Sequence, residues 1–224
     1  MVSPLDVGVG RIPTTVLVTG FEPFGGEAIN PSGMAVQALH GRVVAGHRLI
    51  GAMLPTAFGH SVEVLRDLLQ HYRPALVLCT GQAAGRAALS LERIAINVDD
   101  ARIPDNTGAQ PVDTPVAAGG PAAYFTSLPI KAMRVALTAA GINVEVSQTA
   151  GTFVCNHVFY GLMHELATRH ELRRTRGGFV HVPLLPAQGQ PSMRFDEIVQ
   201  GLRLAIETAL VTIEDVRKEA GALN

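Results

Sequence analysis

Apolar positions along the chain follow two rhythms. Short, continuous β-rich runs at VLVTG (16–20) and ALVLCTG (75–81) read as buried strands, and HRLIGAMLP (47–55) is a second strand candidate. AALSLERIAIN (87–97) alternates well enough for a further strand. NVEVSQ, Thr149 to Phe153, and 179–185 within GFVHVPLL add to the set. Helical spacing appears in between. PSGMAVQALH is a short helix with Ser32 as its N-cap, and 57–72 carries Val62, Leu65, Leu68, Leu69 and Tyr72 on one face. After Cys155, the residues Val158, Phe159, Leu162, Met163 and Leu166 repeat at helical intervals, with Asn156 as a candidate cap. Further helices are predicted around 122–140, restarted at Pro129 and stopped by Gly141, and near 195–217.

Buried strands alternating with helices predict an α/β fold. The expected architecture is a single-domain, three-layer α/β/α sandwich on a largely parallel, mixed, twisted sheet. Residues 1–14 lack periodicity and are expected to form a loose arm, with 15–224 as the domain. The stretch 98–121 is rich in Pro, Gly, Asp and Asn, and a loop of that length in a compact domain is usually functional or disordered.

Composition narrows the function. Over 224 residues the net charge is −1, with no run of like charges, so neither nucleic acid nor an anionic membrane is an expected partner. No apolar run approaches the roughly 20 residues of a membrane span. Two cysteines are too few for a disulfide framework, and a cytoplasmic, reduced protein is expected. The hydrophobic fraction of 47% hints at a subunit interface.

Cys155 stands where a strand hands over to a helix. A thiol in a first helical turn sees free N–H groups and the positive end of the helix dipole, which lowers its pKa. The alternative is a small apolar residue at a tight turn. Cys79, among Leu76, Val77 and Leu78, reads as core. His181 interrupts an apolar strand and is either hydrogen-bonded core or a presented base. Glu92 interrupts another, and a carboxylate there needs a partner; Arg93 should face the other way. Arg86 and Arg102 read as solvated cations. His157 and His164 share a helix but not the H-E-x-x-H spacing of a zinc site, so no metal is expected. Phe21 and Phe24, in the glycine-rich loop TGFEPFGGEAINPS, suit either a ligand wall or a cover for the sheet end. G-x-G-x-x-G, the P-loop and G-x-S-x-G are absent.

The strings TGFEPFGGEAINPS, GQAAGR, LERIAINVDDARIPDNTGAQP, TAGTFVCNH and GFVHVPLLP, in that order, resemble pyroglutamyl peptidase I, a family of cytosolic cysteine peptidases. The resemblance spans about residues 15–215. It implies cleavage after an N-terminal pyroglutamate through a thioacyl intermediate, without cofactor or metal. Cys155 would be the nucleophile, His181 the general base, and Glu92 the group that orients the imidazole. Arg102 would assist the Cys155 N–H at an oxyanion hole. Phe21 and Phe24 would sandwich the lactam ring, the Gln82 backbone would bind its amide edge, and Asn30 would shape the loop. A homotetramer, or a dimer, is implied as well. The family usually shows G-Q-A-G-G-R, and Ala84 replaces the first of the paired glycines here. A non-catalytic or nucleoside-type binder, stacking a base on Phe21 and Phe24, is the rival reading.

Overall fold

The computed structural model describes residues 14–221, so apart from Thr14 the expected N-terminal arm lies outside the described residues. The main sheet comprises β1 (Thr15–Phe21), β2 (Val43–Val44), β3 (His47–Leu54), β4 (Leu76–Gln82), β5 (Leu89–Glu92), β8 (Val144–Ser147) and β9 (Arg176–Val182). A separate antiparallel pair is formed by β6 (Ile94–Ile96) and β7 (Ala123–Phe125). The α-helices are α1 (Pro31–Leu39), α2 (His60–Tyr72), α3 (Ile130–Ala139), α4 (Val154–Thr168) and α5 (Phe195–Val211). Strand order is β2-β3-β1-β4-β9-β5-β8. The pairs β1–β3, β1–β4, β4–β9 and β5–β8 are parallel, while β2–β3 and β5–β9 are antiparallel. The expected mixed, largely parallel sandwich is what the chain forms.

The strand runs are apolar on both faces because helices cover both. Val16, Val18, Leu76, Leu78, Leu89, Leu91, Val180 and Val182 enter one core with α1, α3 and α5. Their alternates Leu17, Phe21, Val77, Cys79 and Phe179 enter a second core with α2 and α4. The two-residue period of a strand therefore assigns each position to a layer.

Several boundaries differ from the sequence expectation, each for a local reason. Asn30, not Ser32, caps α1: its Oδ1 accepts the Ser32 N–H at 3.1 Å, and Pro31 takes a position where no N–H is needed. The run 87–97 breaks at Arg93, which is drawn outward to Gln148 Oε1 (2.9 Å) and the Ala220 carbonyl (3.2 Å), and β6 leaves to pair with β7. Residues 123–125 are therefore strand, and the helix expected from 122 starts at Ile130. Asp215 caps it, accepting the N–H groups of Lys131 (3.1 Å) and Ala132 (2.8 Å); to reach them the chain leaves α5 at Val211 rather than near 217. Thr149 to Phe153 is a loop, not strand, turned at Gly151 with φ +79°. β9 stops at Val182 because Pro183 has no N–H for the ladder. α2 begins at His60, after Gly59.

The 98–121 stretch is built rather than loose. Asp99 and Thr114 exchange backbone hydrogen bonds of 2.7 and 3.0 Å. The Asp105 carboxylate accepts N–H groups from Phe58 (2.7 Å), Thr107 (2.8 Å) and Ala109 (2.9 Å), and the Thr107 hydroxyl at 2.8 Å. Burial opposes ionisation of Asp105, but these donors, the Phe58 N–H foremost, hold its carboxyl below the usual range. One carboxylate thus fastens the long loop to the turn before α2.

Candidate active site

The site lies on the α2/α4 face, where three strands place their alternate residues. In the β4–β9 ladder Gly81 pairs with His181, and in the antiparallel β5–β9 ladder Ser90 pairs with His181. Glu92, two residues beyond Ser90, therefore shares a face with His181. His181 Nδ1 donates to Glu92 Oε1 at 2.7 Å, with His181 4% and Glu92 0% exposed. This leaves Nε2 without a protein partner among the described residues and fixes the ring. The Phe179 ring supports it from 4.8 Å.

Cys155 approaches from α4. A methyl group placed on Gly81 would lie only 2.7 Å from Cys155 Sγ, so the sulfur rests directly over the strand position paired with His181. Glycine is what that approach requires. Gly81→Ala is expected to lower kcat by about a hundredfold, because displacing a reacting atom by about 1 Å costs that much. Overpacking against Phe179, 2.9 Å from the same methyl, should cost stability of about 1–3 kcal/mol. Steady-state kinetics beside thermal melting checks both; unchanged kcat would mean that the sulfur is not held there.

Asn156 does not cap α4, contrary to expectation. Phe153 is the N-cap, with no side-chain hydrogen bond, and the Asn156 amide is committed to the Ile96 N–H (3.0 Å) and the carbonyls of Ile96 (2.9 Å) and Val98 (3.0 Å). The helix's first closed bond runs from the His157 N–H to the Phe153 carbonyl, which leaves the preceding N–H groups without a partner among the described residues and open to an anion. The expected lowering of the thiol pKa does not hold. Burial first, and the Glu92 carboxylate second, push Cys155 up to about 12; Arg86 opposes them and Cys79 adds a little. Half a dipole charge does not offset desolvation plus a nearby carboxylate.

The ring-binding candidates separate. Phe24 has Phe153 as its aromatic neighbour (centroids 6.0 Å), and Phe58 packs edge-on against Phe153 at 5.4 Å. Phe21, only 2% exposed, belongs to the core under α2 and α4, so the aromatic pair at the loop is Phe24–Phe153 rather than Phe21–Phe24. Gln82 ends β4, three residues beyond the last β1–β4 pair at Cys79, which leaves the sheet open there. Its Oε1 accepts from Gln188 Nε2 at 3.2 Å. Asn30, buried, also donates to the Glu22 carbonyl at 3.1 Å and holds the Phe24 loop in shape. Ala84 is exposed, and the left-handed turn in its loop falls on Gly85 (φ +81°), so the substitution introduces no strain. Arg102 is exposed, on the rim of a cavity of about 490 Å³ that it lines with Asp100, Ala101, Ile103, Thr152 and Phe153. It has no hydrogen bond to the Cys155 backbone.

Sequence reasoning passed over four residues here. Arg86, read as solvated, donates from Nη1 to Glu92 Oε1 at 2.7 Å. Phe153 and Phe58 complete the aromatic wall, and Phe153's place two residues before Cys155 was its one available signal. His157 is buried, hydrogen-bonded through Nδ1 to Asp99 Oδ2 (2.8 Å) and accepting the Gly59 N–H at Nε2 (2.9 Å). Among the described residues no cluster of three or more His, Cys, Asp or Glu could hold a metal, and no helix is long and apolar enough to cross a membrane.

Comparison with known proteins identifies the family. The family profile described as pyroglutamyl peptidase matches residues 14–212. A pyrrolidone-carboxylate peptidase 1 of Ralstonia nicotianae is 58% identical over 215 residues, covering 94% of this chain and 99% of its own. One of Cupriavidus taiwanensis is 57% identical with the same coverage. The crystal structure of pyroglutamyl peptidase I from Bacillus amyloliquefaciens, 45% identical, superposes with a TM-score of 0.90 over 93% of this chain and 100% of that one. With the profile covering most of the chain and relatives matched almost end to end, the chain belongs to the pyroglutamyl peptidase family.

Proposed function

We propose that the chain is a cysteine exopeptidase that hydrolyses the amide bond after an N-terminal pyroglutamate of peptides and amides. The observation that carries this reading is the buried Glu92–His181 pair, 2.7 Å between its heavy atoms, beside the Cys155 sulfur over Gly81. With the thiol pKa raised by burial and by Glu92, attack and proton transfer go together: Sγ bonds to the pyroglutamyl carbonyl carbon as His181 Nε2 takes its proton. Glu92 stabilises the imidazolium. The oxyanion falls to the free N–H groups at the start of α4, with Arg102 on the adjoining rim as its further support. His181 then protonates the leaving amine, and water, deprotonated by the same ring, releases pyroglutamate from the thioester.

Pyroglutamate has no free amine and needs stacking and amide hydrogen bonds. Phe24 supplies a face, with Phe153 as its partner and Phe21 behind in the core; the end of β4 at Gln82 supplies backbone groups, and Asn30 holds the loop. A homotetramer or dimer in the cytoplasm is the accompanying proposal, supported by the exposure of Phe125 (67%) and Ile213 (86%). The test is release of a fluorescent amine from a pyroglutamyl amide, with the prolyl amide as control. Turnover of the lactam alone is expected; equal turnover of both, or of neither by freshly reduced protein, would overturn the reading.

A further inference from the structure

Glu92 has more attached to it than a histidine. Its Oε1 receives two hydrogen bonds of 2.7 Å, from His181 Nδ1 and from Arg86 Nη1, while Oε2, also buried, has none among the described residues. The other arm of the same guanidinium, Nη2, donates to the Thr149 carbonyl at 3.1 Å, in the loop that leads into α4 and Cys155. Arg86 itself sits in the loop after β4, four residues beyond Gln82. One planar cation therefore joins the carboxylate, the approach to the nucleophile and the loop beside the ring site.

We infer that Arg86 is a positioning residue of the Cys155–His181–Glu92 group, one that supplies the counter-charge to Glu92 and makes the buried site electrically neutral. The inference rests on the function proposed above. A carboxylate with no exposure is costly unless it is paired, and a neutral imidazole N–H does not compensate its charge. Arg86, charged at every working pH, does. When the thiol proton moves to His181, the separated charges on sulfur and imidazolium form beside a Glu92–Arg86 pair whose sum is zero. Remove the cation, and those charges form next to an uncompensated negative charge that opposes the thiolate and then the oxyanion. The fields at Cys155 run in this sense: Glu92 raises its thiol pKa and Arg86 lowers it.

The test is alkylation of Cys155 by iodoacetamide as a function of pH, run beside turnover of the pyroglutamyl amide, for wild type, Arg86→Met and Arg86→Lys. Cys155→Ser serves as the blank for buried Cys79. Arg86→Met is expected to alkylate at least about tenfold more slowly than wild type at each pH, its profile displaced to higher pH, and to lose about a hundredfold in kcat. Arg86→Lys, which keeps the charge but not the fork, should recover most of the alkylation rate and only part of kcat. Alkylation and kcat within threefold of wild type in folded Arg86→Met would overturn the inference. So would lost turnover with an unmoved alkylation profile, which marks a purely structural role. If Arg86→Met does not fold, Arg86→Gln takes its place under the same criteria. The expected alkylation shifts among the Arg86 variants, with no pyroglutamyl turnover by the wild type, would count against the proposed function and not against the electrostatic role.

Discussion

Cys155→Ser is expected to fold like the wild type and to turn over a pyroglutamyl amide at least roughly a thousandfold more slowly, the scale of loss when one member of a catalytic group is removed. The structural cost is small, because the hydroxyl is shorter than the thiol and meets nothing at Gly81, where sulfur already sits as close as glycine allows. The chemical cost is large. In the proposed mechanism Cys155, a thiol whose pKa is raised by burial and by Glu92, gives its proton to His181 during attack. A serine hydroxyl is several units less acidic still, and its oxygen is the poorer nucleophile in a site built around sulfur. Amine release, measured with thermal melting, decides the matter. If kcat stays within tenfold of wild type in a freshly reduced preparation, another group is the nucleophile.

The second large effect is expected at Glu92→Gln. The amide matches the carboxylate in shape, so the strand and its neighbours need not move. It can still accept at one atom, but it carries no charge, and the atom replacing Oε2 becomes a buried N–H2 where no acceptor waits. Both donors on Oε1 lose their anion: the imidazolium formed during attack is no longer stabilised, and the Arg86 guanidinium is left without its counter-charge. kcat should fall about 10³–10⁴-fold, as when the orienting carboxylate of a triad becomes an amide, with KM changed little. Stability should drop by about 1–3 kcal/mol for the unsatisfied donors. Stopped assays over a substrate range, with urea titration, separate the two losses. A variant within tenfold of wild-type kcat would remove Glu92 from the mechanism and leave it a structural carboxylate.

Both predictions concern residues that stood out in the sequence as anomalies: a thiol at a strand-to-helix seam and a carboxylate in an apolar strand. Their partners stood out less. His181 was recognisable only as a histidine that a buried strand would not hold without reason, and Arg86 looked like any cation in a small-residue loop. Secondary structure followed the same division. Where a run was apolar and bounded by turn residues, as at 16–20 and 75–81, the strand formed as expected. Where a boundary depended on a distant group, local pattern misplaced it. Asp215 sets the start of α3 from 84 residues away, and the Asn156 amide, a natural cap by its position, is taken by Ile96 and Val98 60 and 58 residues before it.

The sequence alone determined which strands would be covered on both faces, the alternation of strands with helices, and the kind of chemistry a lone helix-start cysteine could support. These are local properties, set by two- and 3.6-residue periods and by the identity of single side chains. Only the tertiary structure decided that His181 and Glu92, 89 residues apart, share a hydrogen bond, that Arg86 closes on the same oxygen, and that Phe153 rather than Phe21 faces Phe24. The same holds for the state of the nucleophile. A helix N-terminus favours thiolate wherever it occurs, but the burial of the sulfur and the Glu92 carboxylate beside it push this thiol's pKa up instead. Strand register and depth of burial arise from pairings across the whole chain, and no stretch of residues read by itself contains them.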